Sequence, residues 1–285
     1  MRALLWSFGF LLFSTGLRRA GKRNLLSLQA SKENWIFSNL PEKFSGLRIL
    51  HISDLHIDLC PEVVDRVVER VSTLDYDLTV MTGDYQDGVR RADLLESQRG
   101  LLRIREALAG DIYFVLGNHD DHSMLEWGEK EGFIGLHDRG VELHREGARI
   151  FIGGLKYISG YQMANFLPVA AAESTFSLLL SHSPQKAKAA ARKGFDFFLS
   201  GHTHGGQICL PNGRHLWAAC NIPRALCAGR WRLGAMHGYT SRGVGGSGLA
   251  VRFNCPPEIV VHNLFARANE KSGGHTQSSR GILPP

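Results

Sequence analysis

Cysteine, long apolar runs, internal repeats and nucleic-acid signatures are scarce or missing in this chain, and each shortage removes a class of protein. The five cysteines (Cys60, Cys209, Cys220, Cys227 and Cys255) are odd in number and include no Cys-x-x-Cys pair, which excludes a disulfide framework and a zinc ribbon. They suit a reducing compartment, and Cys209 is expected in the core. No apolar stretch reaches the ~17–25 residues that a membrane-spanning helix needs. No motif recurs at a fixed period, which removes solenoid architectures. No basic stripe is interleaved with stacking aromatics, so nucleic acid is not an expected partner despite a net charge of +6. That charge, with an isoelectric point near 9.2, points instead to a lipid surface or a phosphorylated substrate.

A hydrophobic fraction of 44% with 21% charged residues is ordinary globular composition. Residues 46–267 are enough for one large α/β core. Ahead of them, residues 1–24 are expected to bind a membrane and residues 25–45 to serve as a linker, while residues 268–285, rich in Gly, Ser and polar side chains, read as a disordered tail. Ala3 to Leu17 is 15 residues without a charge, followed by Arg18, Arg19, Lys22 and Arg23. No small-residue cleavage motif follows, so the reading is an apolar segment docked in one leaflet with its basic flank on anionic headgroups, the alternative being an N-terminal helix buried against the globular domain. The basic residues after the segment outweigh Arg2 and the amino terminus, which leaves the domain on the cytoplasmic face of the inner membrane.

Potential metal ligands follow one another where apolar runs end: Asp54 and His56, Asp84, Asn118, His182, then His202 and His204. The runs Arg48 to Ser53, Asp77 to Thr82, Asp111 to Leu116, Ser177 to Ser181 and Phe195 to Ser200 read as strands buried on both faces. Their ligands would gather at the strands' carboxyl ends, where open α/β sheets place their sites. Asp54 with His56, and His202 with His204, are i, i+2 pairs that alternation along a strand exit would point the same way. Gly83, Gly117 and Gly201 each precede a ligand and would allow a sharp turn there. Hard oxygen and imidazole donors in this mixture suit two divalent first-row cations sharing a carboxylate. Lone histidines such as His51 and His262 read instead as satisfied strand residues.

Between these blocks, Pro61 to Ser72, Arg91 to Leu108 and Pro184 to Arg192 have helical spacing or start signals. Val141 to Leu155 reads as a strand pair around Glu146-Gly147, and Leu249 to Phe265 as a closing pair split at Pro256-Pro257. Leu210 to Gly238 is the least regular stretch, and its Trp217, Trp231 and arginines suit either a lid over acyl chain and phosphate or an ordinary loop with a core Trp.

The series Asp-x-His, Gly-Asp, Gly-Asn-His-Asp, His, Gly-His-x-His resembles that of the calcineurin-like metallophosphoesterase superfamily. Gly201 to Ile208, Ser241-Arg242-Gly243-Val244-Gly245 and Pro257-Glu258-Ile259 narrow the resemblance to its bacterial membrane-associated branch, which includes phosphodiesterases and a UDP-2,3-diacylglucosamine pyrophosphatase of lipid A synthesis. The resemblance implies a two-sheet sandwich flanked by helices. It also implies two divalent cations, with manganese expected and iron, zinc or magnesium accepted by the same donors. Asp54, His56, Asp84 and His204 would hold one ion; Asp84, Asn118, His182 and His202 would hold the other. His119 would stand at the leaving oxygen, oriented by Asp87. Where phosphoprotein phosphatases carry an Arg directly after that Asp, this chain has Gly88, which argues against phosphoprotein substrates. The expected activity is hydrolysis of a phosphodiester or pyrophosphate in a lipid-linked substrate such as UDP-2,3-diacylglucosamine, with a broad-specificity phosphodiesterase as the alternative. A metal-free scaffold of the same fold would have lost ligands, and none is lost here.

Overall fold

The computed structural model describes residues 16–157, 176–215 and 222–267; the apolar stretch before Gly16, Trp217 and the polar tail from Asn269 lie outside them. Two six-stranded mixed sheets lie face to face. One has the order β1 (Gln29–Phe37), β12 (Glu258–Ala266), β2 (Leu47–Ile52), β3 (Leu78–Met81), β4 (Ile112–Phe114), β5 (Ile134–Gly135). The other has the order β10 (Gly229–Leu233), β11 (Met236–Thr240), β9 (Phe197–Ser200), β8 (Ser177–Leu180), β7 (Ala148–Gly154), β6 (Arg139–Arg145). Strands β2 to β5 are mutually parallel, as are β7, β8, β9 and β11. The α/β class and the two-sheet sandwich flanked by helices are therefore what the chain adopts.

Alternation along the strands builds the layers. In β2, Leu47 and Ile49 enter the inter-sheet core with Val80, Val115, Leu178 and Leu199. Leu50 and Ile52 face the other way, onto α2 (Val63–Val71) and α3 (Arg91–Ala107), where Val64, Val67, Leu101 and Ile104 meet them. On the far face of the second sheet, Phe151, Leu179 and Phe198 pack with Ala187 and Ala190 of α5 (Ala187–Arg192) and with Trp231. Both faces of the central strands are covered, which is why they are apolar throughout. α4 (Ser123–Lys130) closes the β4–β5 connection. Cys60, Cys209, Cys227 and Cys255 are buried free thiols.

Three expectations change, and for residues 17–24 the alternative of a helix packed on the domain is met. Residues 25–45 are not a linker: β1 pairs with β12 along its length, and Trp35, Phe37, Leu40 and Phe44 lie in the inter-sheet core. The polar first half of β1 is that of an edge strand, half exposed, and so carries a linker's composition. Residues 17–24 belong to α1 (Leu17–Leu25), which rests on the domain through the buried Gly21 and Leu25. Leu249 to Phe265 contains only β12; the stretch before it is a loop in which Phe253 bridges to Ile208. Of the expected lid, residues 229–238 belong to the β10–β11 hairpin, which ends at Thr240, with Trp231 buried while Arg230 and Arg232 face outward. Arginines alternating with one aromatic disguise an edge strand as a loop.

Candidate metal centre

The ligands sit just past strand ends: Asp54 and His56 after β2, Asp84 after β3, Asn118 after β4, His182 after β8, His202 and His204 after β9. Extended alternation is not what aligns the pairs. Asp54, His56, Asp84, His202 and His204 have φ of 53°, 42°, 57°, 72° and 51°, in the left-handed region that non-glycine residues rarely enter. Successive left-handed turns swing these side chains inward, at a cost of order 1–3 kcal/mol each that the surrounding structure must offset. Clusters of such residues mark functional sites.

The three glycines divide into two roles. Gly83 has φ +93° and makes the sharp turn expected of it. Gly117 and Gly201 have no left-handed backbone and act by close approach. A Cβ on Gly117 would lie 2.1 Å from Asp84 Oδ1, and one on Gly201 would lie 2.2 Å from Asp54 Oδ2. The carboxylates occupy the room that a side chain would take.

Two buried groups result, Asp54, His56, Asp84 and His204 in one and Asp84, His182 and His202 in the other, each with its ligand atoms within 4.8 Å of one another. Asp84 belongs to both, its Oδ2 standing 3.6 Å from His56 Nε2 and 3.3 Å from His182 Nε2. In the first group His56 Nε2 and His204 Nε2 are 3.1 Å apart. In the second, His182 Nε2 lies 3.0 Å from His202 Nδ1 and 2.9 Å from Asn118 Oδ1, so the amide oxygen joins that set. The far nitrogens have partners: His182 Nδ1 donates to Thr82 O at 2.8 Å, which fixes its tautomer, and His56 Nδ1 lies 3.0 Å from Asp87 Oδ1, an ion-pair contact outside hydrogen-bond geometry. Each ring then turns its Nε2 into the cluster, the arrangement by which proteins orient metal-binding imidazoles. Two carboxylates, one amide oxygen and four imidazoles at this spacing fit two divalent first-row cations sharing Asp84.

The electrostatics agree with a centre that wants positive charge. Burial would push Asp84 up, but the adjoining His182, with His56 and His119, holds its carboxyl well below the usual range. Burial opposes charge on His182 too, yet Asp84 and Asp54 raise it to about 9. His202 is pushed down to about 3 by burial and then by His182.

His119 stands beside the first group, its ring 5.1 Å from that of His56 and its side chain partly open to solvent. Its orientation differs from expectation. Asp87 directs its carboxylate to His56 and lies 4.0 Å from His119 Nδ1, which instead meets the Asp87 backbone carbonyl at 3.0 Å. One residue thus steadies both imidazoles, because Asp58 accepts from the amides of Asp87 and Gly88 at 2.7 and 2.8 Å and pins the turn.

Several participants escaped the sequence reading. Asp120 accepts from the amides of Asp84, Tyr85 and Gly117 at 2.8, 2.7 and 2.7 Å, tying two ligand loops together, and burial lifts its carboxyl to about 6. Its place directly after His119 in the Gly-Asn-His-Asp motif was the available signal. Tyr157 sets its ring 5.5 Å from His182 and 5.9 Å from His202. Arg252 is fully buried behind His204. Nothing in the local sequence marks either of these two residues.

A face-to-face pair of mixed sheets with an Asp/His cluster shared through one carboxylate is the layout of a metal-dependent phosphoesterase. The chain belongs to the calcineurin-like phosphoesterases, whose family model matches residues 47–206. It is 27% identical over 226 residues to the uncharacterized metallophosphoesterase YkoQ of Bacillus subtilis (strain 168), covering 76% of this chain and 83% of that protein. It is 29% identical over 243 residues to YkuE, another uncharacterized metallophosphoesterase of Bacillus subtilis (strain 168), covering 80% and 82%. A shorter stretch of 97 residues, 34% of this chain and 35% of the other, is 36% identical to the phosphodiesterase YaeI of Escherichia coli (strain K12). The protein is accordingly a hydrolase of phosphoesters.

Proposed function

We propose that this hydrolase cleaves a phosphodiester or pyrophosphate bond in a lipid-linked substrate, of which UDP-2,3-diacylglucosamine is the leading example, with manganese as its metal. The observation that carries the dinuclear reading is the pair of buried Asp/His groups joined by Asp84. Divalent cations held there would offset charge on the phosphoryl oxygens and lower the pKa of an attacking water. Asp84, positioned by Gly117 and by the amide of His119 at 3.0 Å from its Oδ1, would keep the two ions at a fixed separation. His119 serves the leaving oxygen: with Nδ1 held by the Asp87 carbonyl, Nε2 is the nitrogen that exchanges a proton.

The lipid-linked assignment rests on the N-terminal region. The apolar run Ala3 to Leu17 would dock in a leaflet, and α1 presents Arg18, Arg19 and Arg23 at the surface next to it. Among the described residues, no helix is long and apolar enough to cross a membrane. The proposed location, on the cytoplasmic face of the inner membrane, is supported by the charge bias of Arg18, Arg19, Lys22 and Arg23 after the apolar run. The relative YaeI is named a phosphodiesterase, which supports a second reading, a broad-specificity phosphodiesterase. Purified protein loaded in turn with Mn²⁺, Fe²⁺, Zn²⁺ and Mg²⁺ should be assayed on UDP-2,3-diacylglucosamine and on a bis-aryl phosphodiester, with Asp84→Ala as the control. Cleavage of the lipid nucleotide to UMP supports the first reading, and cleavage of the aryl ester alone supports the second. Hydrolysis that survives chelation and Asp84→Ala would sink both.

A further inference from the structure

Among the described residues, Arg252 is the one guanidinium that is fully buried, at 0% exposure. A buried cation is costly unless its donors are taken up, and here they are taken up by backbone carbonyls. Nε and Nη2 donate to Gly245 O at 2.8 and 2.6 Å, Nη2 also reaches Arg242 O at 2.6 Å, and Nη1 donates to His204 O at 3.3 Å. Nη2 stands 3.3 Å from His204 Nδ1. Glu258, the nearby acid, is occupied by Arg242. The planar fork therefore joins the His204 turn to the 242–245 loop.

That loop lies on the other ligand of the same group. Gly245 N donates to Asp54 O at 2.7 Å and Val244 N to Ser53 O at 3.0 Å, while a Cβ on Gly243 would lie 2.6 Å from Asp54 Cβ. Arg252 thus braces Asp54 and His204 together. None of its hydrogen bonds among the described residues reaches Asn118, His182 or His202.

The main chain of Arg252 is held from the opposite side by α1. Its amide donates to Gly21 O at 3.0 Å and its carbonyl accepts from Asn24 Nδ2 at 3.1 Å. Its neighbours Val251 and Phe253 press on the bare Cα of Gly21, where a Cβ would meet them at 2.6 and 2.8 Å.

We infer that Arg252 is a positioning residue for Asp54 and His204, and that α1 locks it in place, so the N-terminal helix is a working part of the first metal group as well as a basic surface. The inference rests on the reading of His204 as a metal ligand. It gives α1 a reason to be docked that charge alone does not supply: displacement of the helix loosens one ion and leaves the other.

Co²⁺ titration of the metal-free full-length protein, followed by calorimetry and by the visible absorption of the bound ion, tests this. His204→Ala and His202→Ala assign the two binding steps. Arg252→Met should weaken the first-group step by about 10- to 100-fold, the usual effect of losing a residue that orients a ligand, with the second step unchanged. Arg252→Lys should recover part of the loss. Gly21→Leu, which leaves Arg252 intact but unseats α1, should weaken the same step and shift the first-group Co²⁺ spectrum. Thermal melts of each variant identify general unfolding. Two wild-type steps in Arg252→Met and Gly21→Leu, or equal loss of both steps, would overturn the inference while leaving the dinuclear reading intact. A His204→Ala variant that binds as many ions as wild type with unchanged affinity would overturn the reading of His204 as a metal ligand, and the inference with it, while leaving two ions in the site.

Discussion

Asp84 rests its Oδ1 against the bare α-carbon of Gly117, in the space where any other residue would place its Cβ. The shared carboxylate and the glycine come from the ends of neighbouring parallel strands, β3 and β4. The smallest change to the site is therefore one methyl group at a residue that carries no ligand.

Gly117→Ala should push Asp84 out of register and lower turnover by at least about 100-fold, the scale expected when a reacting geometry is displaced by an ångström. Metal analysis should find the loss shared between both groups, since Asp84 serves both. An alanine variant with wild-type rate and two ions would contradict the close approach.

His119 and Asp87 should separate in their effects. His119→Asn is expected to cost about 10² to 10⁴ in turnover with metal content retained, and to cost less on a nitrophenyl ester than on a poor leaving group. Asp87→Ala removes the carboxylate from His56 but keeps the carbonyl that holds His119, so it should chiefly weaken metal binding, by about 10- to 100-fold. If Asp87→Ala matches His119→Asn on both leaving groups with its metals in place, the carboxylate acts on His119 after all.

Acid should destabilise the fold through a chain of buried neutral imidazoles. Trp35 Nε1 donates to His262 Nδ1 at 3.1 Å; the other His262 nitrogen faces His51 Nδ1 at 3.4 Å, and His51 Nε2 faces Thr82 Oγ1 at 2.9 Å. Burial lowers His51 to about 3 and His262 well below its ordinary value. The unfolded chain thus binds more protons than the folded one between pH 6.5 and about 3, so stability is full above 6.5 and falls on acidification through that window. The slope is about 1.4 kcal/mol per pH unit for each such group. Urea denaturation of His51→Gln from pH 7 to 4 should show a shallower decline than wild type; parallel curves would refute the assignment.

Membrane association should respond to charge on α1. Replacing Arg18, Arg19 and Arg23 with Gln leaves the Gly21 seat untouched and should reduce sedimentation with phosphatidylglycerol vesicles at low salt. High salt should bring wild type down toward the variant, with the remainder due to residues 3–17. Binding indifferent to both changes would remove electrostatics from the account. Truncation of residues 1–24 is a poorer probe than it first looks, because it strips α1 from Arg252.

The ligand set was legible because chemistry-bearing residues stood at the ends of apolar runs, and that pattern survives without knowledge of any contact. His51 and His262 were also legible, as satisfied strand residues, because an isolated imidazole in a strand has a bland explanation that the hydrogen bonds bear out. Arg252 was not legible: its partners are carbonyls of residues 204, 242 and 245, and a carbonyl leaves no trace in the side-chain alphabet. Asp87 misled for a related reason, since its carboxylate and its carbonyl serve different histidines. β1 hid because an edge strand with one wet face has a linker's composition.

The left-handed backbone at Asp54, His56, Asp84, His202 and His204 also constrains how this chain can drift under mutation. A valine or isoleucine at any of them would lose a donor and strain the main chain together, whereas glycine would lose only the donor and asparagine would exchange it for a weaker amide oxygen. A descendant that surrendered its ions but kept its shape would be expected to accumulate Gly and Asn at these five positions. The scar of a vanished centre would be written in small residues, readable in a pseudoenzyme's sequence after every histidine had gone.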